Sequence, residues 1–346
     1  MSDARFVFAG APRRIYWETT RACGLVCRHC RADAIARPQP DELTPAEGRR
    51  LLADLARIGQ PLPHVVFTGV DPLERADLLD LIRHARGLGL GVSVAPSATP
   101  RLDSATIADL KAAGTQAISL SLDAASAARH AALRGVPGCY ARTIEAAVAA
   151  RDVGLPFQVN TLVSADTVDG LGLVHELAVT LGAARWSLFF LVAVGRGAVL
   201  AQITPEQFGR VLRWLADLAG RNGLVVATTE APQLRRLLFE QAGSRVVGGG
   251  IRDGNGIMFV SHTGDVMPSG FLPVSVGSVR EADVVTLYRD SPLFRRLRRP
   301  ERFGGRCGTC RYREACGGSR ARAYAASGDP CDEDPLCPAD LYAAAT

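Results

Sequence analysis

Arg14-Ile-Tyr-Trp-Glu-Thr-Thr-Arg-Ala-Cys23-Gly-Leu-Val-Cys27-Arg-His-Cys30 is a short β-rich run followed by a loop that carries three cysteines. The run Ile15–Thr20 predicts a strand, and the rest of the first two hundred residues repeats its theme. β-Rich segments at His64–Gly69, Gly91–Pro96, Ala117–Asp123, Phe157–Val163 and Arg185–Val192 alternate with helical patterns. The helical patterns fall at Pro45–Ile58, Ala76–Leu88, Ser104–Ala113, Ala141–Val153, Val168–Leu181 and Pro205–Ala219. Apolar residues recur in them at three- and four-residue spacing, as at Leu51, Leu52, Leu55 and Ile58. Glycines such as Gly89, Gly114 and Gly182 stand where a helix would take its C-terminal cap.

Six strand–helix units in series predict a parallel sheet with right-handed crossovers. Six units are too few to close an eight-stranded barrel. The expected fold is therefore α/β, a partial (β/α)6 TIM-like barrel with a small C-terminal cysteine-rich domain. Sites in such sheets lie at the carboxyl ends of the strands. That rule points to the residues following Thr20, Gly69, Pro96, Asp123, Val163 and Val192.

Beyond Asn222 the pattern changes. A strand-like Leu224–Thr228, a glycine run at 248–250, then Gly256–Val260 and Asp265–Pro268 predict a short hairpin and loops. A boundary near residue 230 separates residues 1–230 from a cysteine-rich domain over 231–346. The chain has 346 residues, 47% of them hydrophobic, enough for a sizeable core. No run of about eighteen apolar residues predicts a membrane span. Met1–Pro12 lacks the basic start and apolar stretch of a secretory signal, so a cytoplasmic location is expected. The net charge of +5 is dispersed arginine, without the basic stripe of a nucleic-acid binder.

Nine cysteines in a reducing compartment are poor disulfide candidates. Cys139 stands alone and reads as a buried thiol. The others form two groups at opposite ends of the chain, which predicts two metal sites. Thiolates are the soft ligands of iron–sulfur clusters. Cys23-x3-Cys27-x2-Cys30 offers ligands for three irons of a 4Fe–4S cube and leaves the fourth iron open to an amino and carboxylate chelate. The competing assignment is a zinc knuckle completed by His29, yet zinc sites pair ligands at two separated positions. In the tail, Cys307-x2-Cys310-x5-Cys316 is followed by Cys331 and Cys337. A four-thiolate iron–sulfur cluster and a zinc ribbon are both open there, with Cys337 favoured over Cys331 as the last ligand.

With these motifs the chain resembles the radical S-adenosylmethionine (SAM) superfamily, whose first loop carries Cys-x3-Cys-x2-Cys with a ring-bearing residue, here His29, before the last cysteine. Gly69-Val70-Asp71-Pro72 occupies the place of the family's Gly-Gly-Glu-Pro motif, whose backbone binds the SAM amino group. Val70 stands where the family has its second glycine, a position that would cost valine steric strain if it required a positive φ. Ser119, Ser121 and Asp123 match where the family contacts the SAM ribose and carboxylate. Asn160, Leu191 and Val192 match its ribose and adenine contacts.

The tail resembles the SPASM or twitch extension, which holds auxiliary clusters. Gly264 and Ser269 carry the opening of that pattern without its cysteine, and Arg320 stands in place of another cysteine. Those departures remove one auxiliary cluster, and Cys307, Cys310, Cys316 and Cys337 remain for the other. The resemblance thus implies a catalytic 4Fe–4S cluster on Cys23, Cys27 and Cys30, a second auxiliary 4Fe–4S cluster, and SAM. It implies that reductive cleavage of SAM yields a 5′-deoxyadenosyl radical that abstracts hydrogen from substrate. A reducing partner such as flavodoxin or ferredoxin is implied as well.

The tail also looks like the branch that includes haem-biosynthesis enzymes, which act on tetrapyrrole propionates. Arg295, Arg296, Arg298, Arg299, Arg320 and Arg322 are candidates to pair such carboxylates. The alternatives are a maturase of a ribosomally made peptide and a non-catalytic iron–sulfur protein.

Overall fold

The computed structural model describes residues 7–221, 223–242 and 250–341. The first six residues and residues 248 and 249 of the glycine run lie outside that set. Seven parallel strands follow one another across a single sheet in chain order. They are β1 (Arg14–Glu18), β2 (His64–Thr68), β3 (Gly91–Val94), β4 (Ala117–Ser121), β5 (Phe157–Val163), β6 (Arg185–Phe190) and β7 (Val225–Thr229). Ile15 and Trp17 of β1 are fully buried, as are Val65 and Phe67 of β2.

The crossovers carry α1 (Pro45–Ala56), α2 (Leu78–Gly87), α3 (Ser104–Ala112), α4 (Ala127–Arg134) with α5 (Cys139–Asp152), α6 (Leu171–Leu181) and α7 (Pro205–Leu218). Both α1 and α7 begin with a threonine, then a proline, and a reciprocal capping box, Thr44 with Glu47 and Thr204 with Gln207. Leu51, Leu52 and Leu55 form the buried face of α1. The six strand–helix units therefore stand as expected, in a curled, open half-barrel.

Three features go beyond the expectation. The fourth crossover contains an additional helix, α4, started by the Ser126 cap and stopped at Gly135, whose φ is 76°. The strand-like segment before residue 230 is β7, paired in parallel with β6 from Arg185↔Val225 onward, and α8 (Gln233–Ala242) follows it. The expected hairpin forms between β9 (Gly256–Val260) and β10 (Val266–Met267), antiparallel, with β8 (Arg252–Asp253) beside β9. β9 also pairs in parallel with β1, Arg14↔Ile257 to Trp17↔Val260, and so extends the barrel sheet on its other side. Met258, Phe259 and Val260 are buried consecutively, as in a strand covered on both faces.

Short helices α9 (Val284–Asp290), α10 (Pro292–Leu297), α11 (Gly305–Thr309) and α12 (Arg320–Ser327) carry the cysteine-rich tail. Among the described residues, no helix is long and apolar enough to cross a membrane.

Candidate functional site

A cavity of about 210 Å³ lies at the carboxyl ends of the strands. Cys23, Cys27 and Cys30 line it. So do Gly69 and Val70 after β2, Ser119, Ser121 and Asp123 at the end of β4, Asn160 on β5, and Leu191 and Val192 after β6. Two of the expected contact residues are not on its wall. Asp71 is fully buried, accepting hydrogen bonds from the Thr99 hydroxyl at 2.9 Å and from the Ser97 and Leu73 amides at 3.2 Å each. Pro72 opens the short turn that follows. Burial pushes the Asp71 carboxyl up to about 6, against the pull of those donors. Its carboxyl ties the loops after β2 and β3 together.

The cysteine loop is fixed by its neighbours. The Cys23 amide donates to the Ile35 carbonyl at 3.0 Å, the Arg28 amide to Leu133 at 2.9 Å, and the Arg196 amide to Cys30 at 2.9 Å. The Cys23 Sγ lies 3.5 Å from the Ser97 hydroxyl, which donates to the Val70 carbonyl at 2.6 Å. Arg134, the last residue of α4, places Nη1 3.9 Å from the Cys27 Sγ. Its Nη2 lies 2.6 Å from the Asp123 carboxylate, which also accepts from the Leu162 amide at 2.8 Å. Burial works to raise the Asp123 carboxyl, but the Arg134 guanidinium, together with His29, His130 and the Leu162 amide, outweighs it and holds the group below its ordinary range.

Burial also pushes the Cys23 thiol up to about 11, so a metal taken here would displace a proton. It lowers His29 to about 4, a neutral imidazole whose Nδ1 is buried without a hydrogen-bond partner.

The turn after β2 settles the cost of Val70. Gly69 has φ +137°, and a Cβ there would stand 2.6 Å from the Thr20 carbonyl oxygen. The described non-glycine residues with positive φ are Asp33 and Glu230. Val70 therefore carries no backbone strain, and the demand for glycine falls on Gly69 alone.

The second group of cysteines closes on a much smaller space. Cys307, Cys310, Cys316 and Cys337 line a cavity of about 30 Å³. Cys331 is not on that wall and packs with Phe303, Leu272 and Leu297. The Asp334 amide donates to the Cys307 Sγ at 3.4 Å, and the Gly318 amide to the Cys316 Sγ at 3.4 Å. Arg320 is fully buried. It donates to the Cys307 Sγ at 3.4 Å and to the Pro330 and Asp332 carbonyls at 3.0 and 2.6 Å. Arg322 meets Asp334 in a two-pronged pair at 2.8 and 2.9 Å, and burial pushes the Cys337 thiol up to about 12.

The donor chemistry of each site fits the group expected there. One offers three thiols beside a roomy cavity, the other four thiols around a tight one. Among the described residues, no three His, Cys, Asp or Glu side chains form a cage for a single metal ion.

The tail arginines do not reach the larger cavity. Arg320 and Arg322 are committed as described, and Arg298 donates to the Tyr288 carbonyl at 2.6 Å and the Gly254 carbonyl at 3.1 Å. Arg295 pairs with Asp290 and Arg296 with Asp329. The cavity wall instead includes Ser97, Arg134 and Arg196, which sequence reasoning missed. Ser97 follows the third predicted strand directly, so the rule of strand ends reached its threshold. Arg134 lies on the overlooked helix α4, and Arg196 follows β6 by six residues with no motif to mark it.

A parallel half-barrel with a three-thiol loop after its first strand, opening on a cavity at the strand ends, defines the class. The profile described as Radical SAM superfamily matches residues 17–170, and the chain belongs to that superfamily. It is therefore an enzyme of a class that works with a 4Fe–4S cluster and SAM.

Across nearly its whole length it is similar to the AdoMet-dependent heme synthase of Oleidesulfovibrio alaskensis. The two are 37% identical, over 97% of this chain and 90% of that one. The AdoMet-dependent heme synthase of Methanosarcina barkeri is 36% identical over 94% of this chain and 96% of that one. In fold the chain is similar to Streptococcus suis SuiB bound to S-adenosylmethionine. That likeness has a TM-score of 0.75 at 18% identity and covers 95% of this chain and 77% of that one.

Proposed function

We propose that this protein is a radical SAM enzyme acting on a carboxylate-bearing side chain of a tetrapyrrole, with a second iron–sulfur cluster in its tail. The observation that carries the reading is the single cavity of about 210 Å³ on which the three thiols and the ends of β2, β4, β5 and β6 converge. The heme-synthase name of relatives 37% and 36% identical supports the tetrapyrrole.

Cys23, Cys27 and Cys30 would hold the catalytic cluster, and Cys307, Cys310, Cys316 and Cys337 the auxiliary one. When bound, the catalytic cluster and SAM supply a 5′-deoxyadenosyl radical. The chain's own residues orient and exclude. Gly69 lets the β2 turn lie against Thr20, leaving backbone on the cavity wall beside Cys23. Ser97 ties the Cys23 thiol to the Val70 carbonyl. Arg134 sets positive charge beside Cys27 and holds Asp123 in place. Asn160, Ser119, Ser121, Leu191 and Val192 form the wall against which SAM would lie. A cytoplasmic setting and a flavodoxin- or ferredoxin-type donor complete the proposal.

Anaerobic reconstitution, reduction and incubation with SAM test the reading, with 5′-deoxyadenosine as the first product to assay. Its formation with coproporphyrin, together with a mass loss on the porphyrin, is the expected result. No 5′-deoxyadenosine under any condition would mark a non-catalytic iron–sulfur protein. A mass change on an added peptide, with the porphyrin untouched, would mark a peptide maturase.

A further inference from the structure

Three arginines line the larger cavity among the described residues: Arg31, Arg134 and Arg196. Two are committed. Arg31 donates to Glu18 at 2.9 Å and stacks over Phe259, and Arg134 is held by Asp123. The Nε and Nη2 of Arg196 are both buried and have no hydrogen-bond partner. Those two N–H groups form one edge of the guanidinium, the parallel pair of donors that a carboxylate accepts with both oxygens. A buried cationic donor edge left without an acceptor is costly to a fold.

The edge is also held in place. Arg196 lies on the turn after β6 that packs on the cysteine loop, its amide donating to the Cys30 carbonyl at 2.9 Å. At Gly195, φ +52°, a Cβ would stand 2.4 Å from the Arg31 carbonyl oxygen. The backbone thus approaches the loop too closely for a side chain, and Arg196 is delivered to the cavity with little freedom.

We propose that the Nε–Nη2 edge of Arg196 receives a carboxylate of the substrate. The inference rests on the proposed substrate class and adds the residue that orients it. SAM also carries a carboxylate, but the residues expected for its ribose and carboxylate, Ser119, Ser121 and Asp123, lie at the end of β4, two strands away from the β6 turn. Held from Arg196, a carboxylate arm would lie in the same cavity as the three thiols. The tetrapyrrole would then be recognised through its arm.

The test is a binding titration of the reconstituted, SAM-loaded holoenzyme, followed by porphyrin absorbance. Coproporphyrin III and its fully esterified form are compared on wild type, R196Q and R196K. Wild type should prefer the acid over the ester. R196Q should weaken the acid about 10- to 100-fold and leave the ester unchanged, because only the charge-assisted pair is lost. R196K, which keeps the charge but not the fork, should fall between. Two results overturn the assignment: an unchanged acid-to-ester ratio in R196Q, or a loss of SAM affinity with the acid's affinity intact.

If wild type binds no porphyrin, the tetrapyrrole reading fails on its own, and propionate decides the role of Arg196. Propionate should protect Arg196 of the wild-type holoenzyme from phenylglyoxal, mapped by peptide mass spectrometry. Absence of protection would overturn it.

Discussion

The two cysteine sites differ in how much of their surroundings the chain has already filled. At the strand ends, three thiols share a cavity of about 210 Å³ with hydroxyls, an amide and a guanidinium edge that has no partner. In the tail, four thiols surround about 30 Å³; Arg320 and Asp334 beside them are paired, while the Gln233 Oε1 and the Arg313 Nε on that wall are buried without a partner. Arg320 spends its donors on two carbonyls and the Cys307 sulfur, and Asp334 accepts from Arg322, Gln233 and the Ser319 amide. Unmet hydrogen bonds occur at both, so what separates the two sites is room, about 210 Å³ at the strand ends against about 30 Å³ in the tail.

The sharpest way to break this comparison is to remove one thiol from each. Cys27→Ala should abolish SAM cleavage and, given two four-iron clusters, take away about half of the bound iron. Cys310→Ala should remove a similar share of iron while the catalytic site still binds SAM. Iron analysis and SAM binding, measured on both variants, check this. If Cys27→Ala keeps its cleavage, the first site is not the one that cleaves SAM. If Cys310→Ala loses SAM binding too, the sites are not independent.

A smaller effect separates two neighbours on the cavity wall. Gly69→Ala puts a Cβ on the Thr20 carbonyl in a backbone conformation that side chains rarely adopt. It should cost roughly 1–3 kcal/mol of stability and loosen SAM. Val70→Gly, where no positive φ is required, should cost roughly 0.5–1 kcal/mol of chain entropy and the packing of its half-buried side chain on the Cys23 and Leu25 cluster. Urea denaturation of the two variants reads the difference. A gain of stability in Val70→Gly would mean that Val70 is strained as well.

That pair of residues also marks how far the sequence can be read. Strand runs, apolar helix faces and cysteine spacing are local signals, and they are enough to place six strand–helix units and both thiol groups. The missing glycine at Val70 is visible in sequence too, but which residue of the turn carries the positive φ depends on how closely Thr20 approaches across the sheet.

Long-range pairing is equally hidden. Gly256–Val260 reads as half of a hairpin, which it is, yet nothing in five residues announces that its other edge pairs with Arg14–Trp17. Arginine partners are the hardest of all. Arg320 and Arg322 look free in sequence, yet Arg320 is held by two carbonyls and a sulfur and Arg322 pairs through its whole Nε–Nη2 edge, whereas that same edge of unremarked Arg196 is open.

The last contrast concerns the ions that clamp the tail to the barrel, and its effect shows only along a pH series. Glu230, directly after β7, sits at φ 58° and accepts from the Ser319 hydroxyl at 2.5 Å. Its backbone carbonyl accepts from Arg322 at 2.6 Å. Desolvation, and the neighbouring carboxyl of Asp253, raise its carboxyl from an ordinary 4.5 to about 8. Arg322 opposes that shift and Asp334 adds to it.

In this window the folded chain keeps a proton that the unfolded chain has lost. The stability that Glu230 contributes must therefore fall as pH rises from about 4.5 to about 8, and level off above. A single proton delivers at most about 1.4 kcal/mol per pH unit, and a proton shared with Asp253 should deliver a fraction of it. Glu230→Gln puts a neutral amide where the neutral acid stood, so its denaturation midpoint should decline less steeply than the wild type's over the window. An identical slope in the variant would assign the proton to another group. The bond from Ser319 would then be a clamp that does not depend on pH.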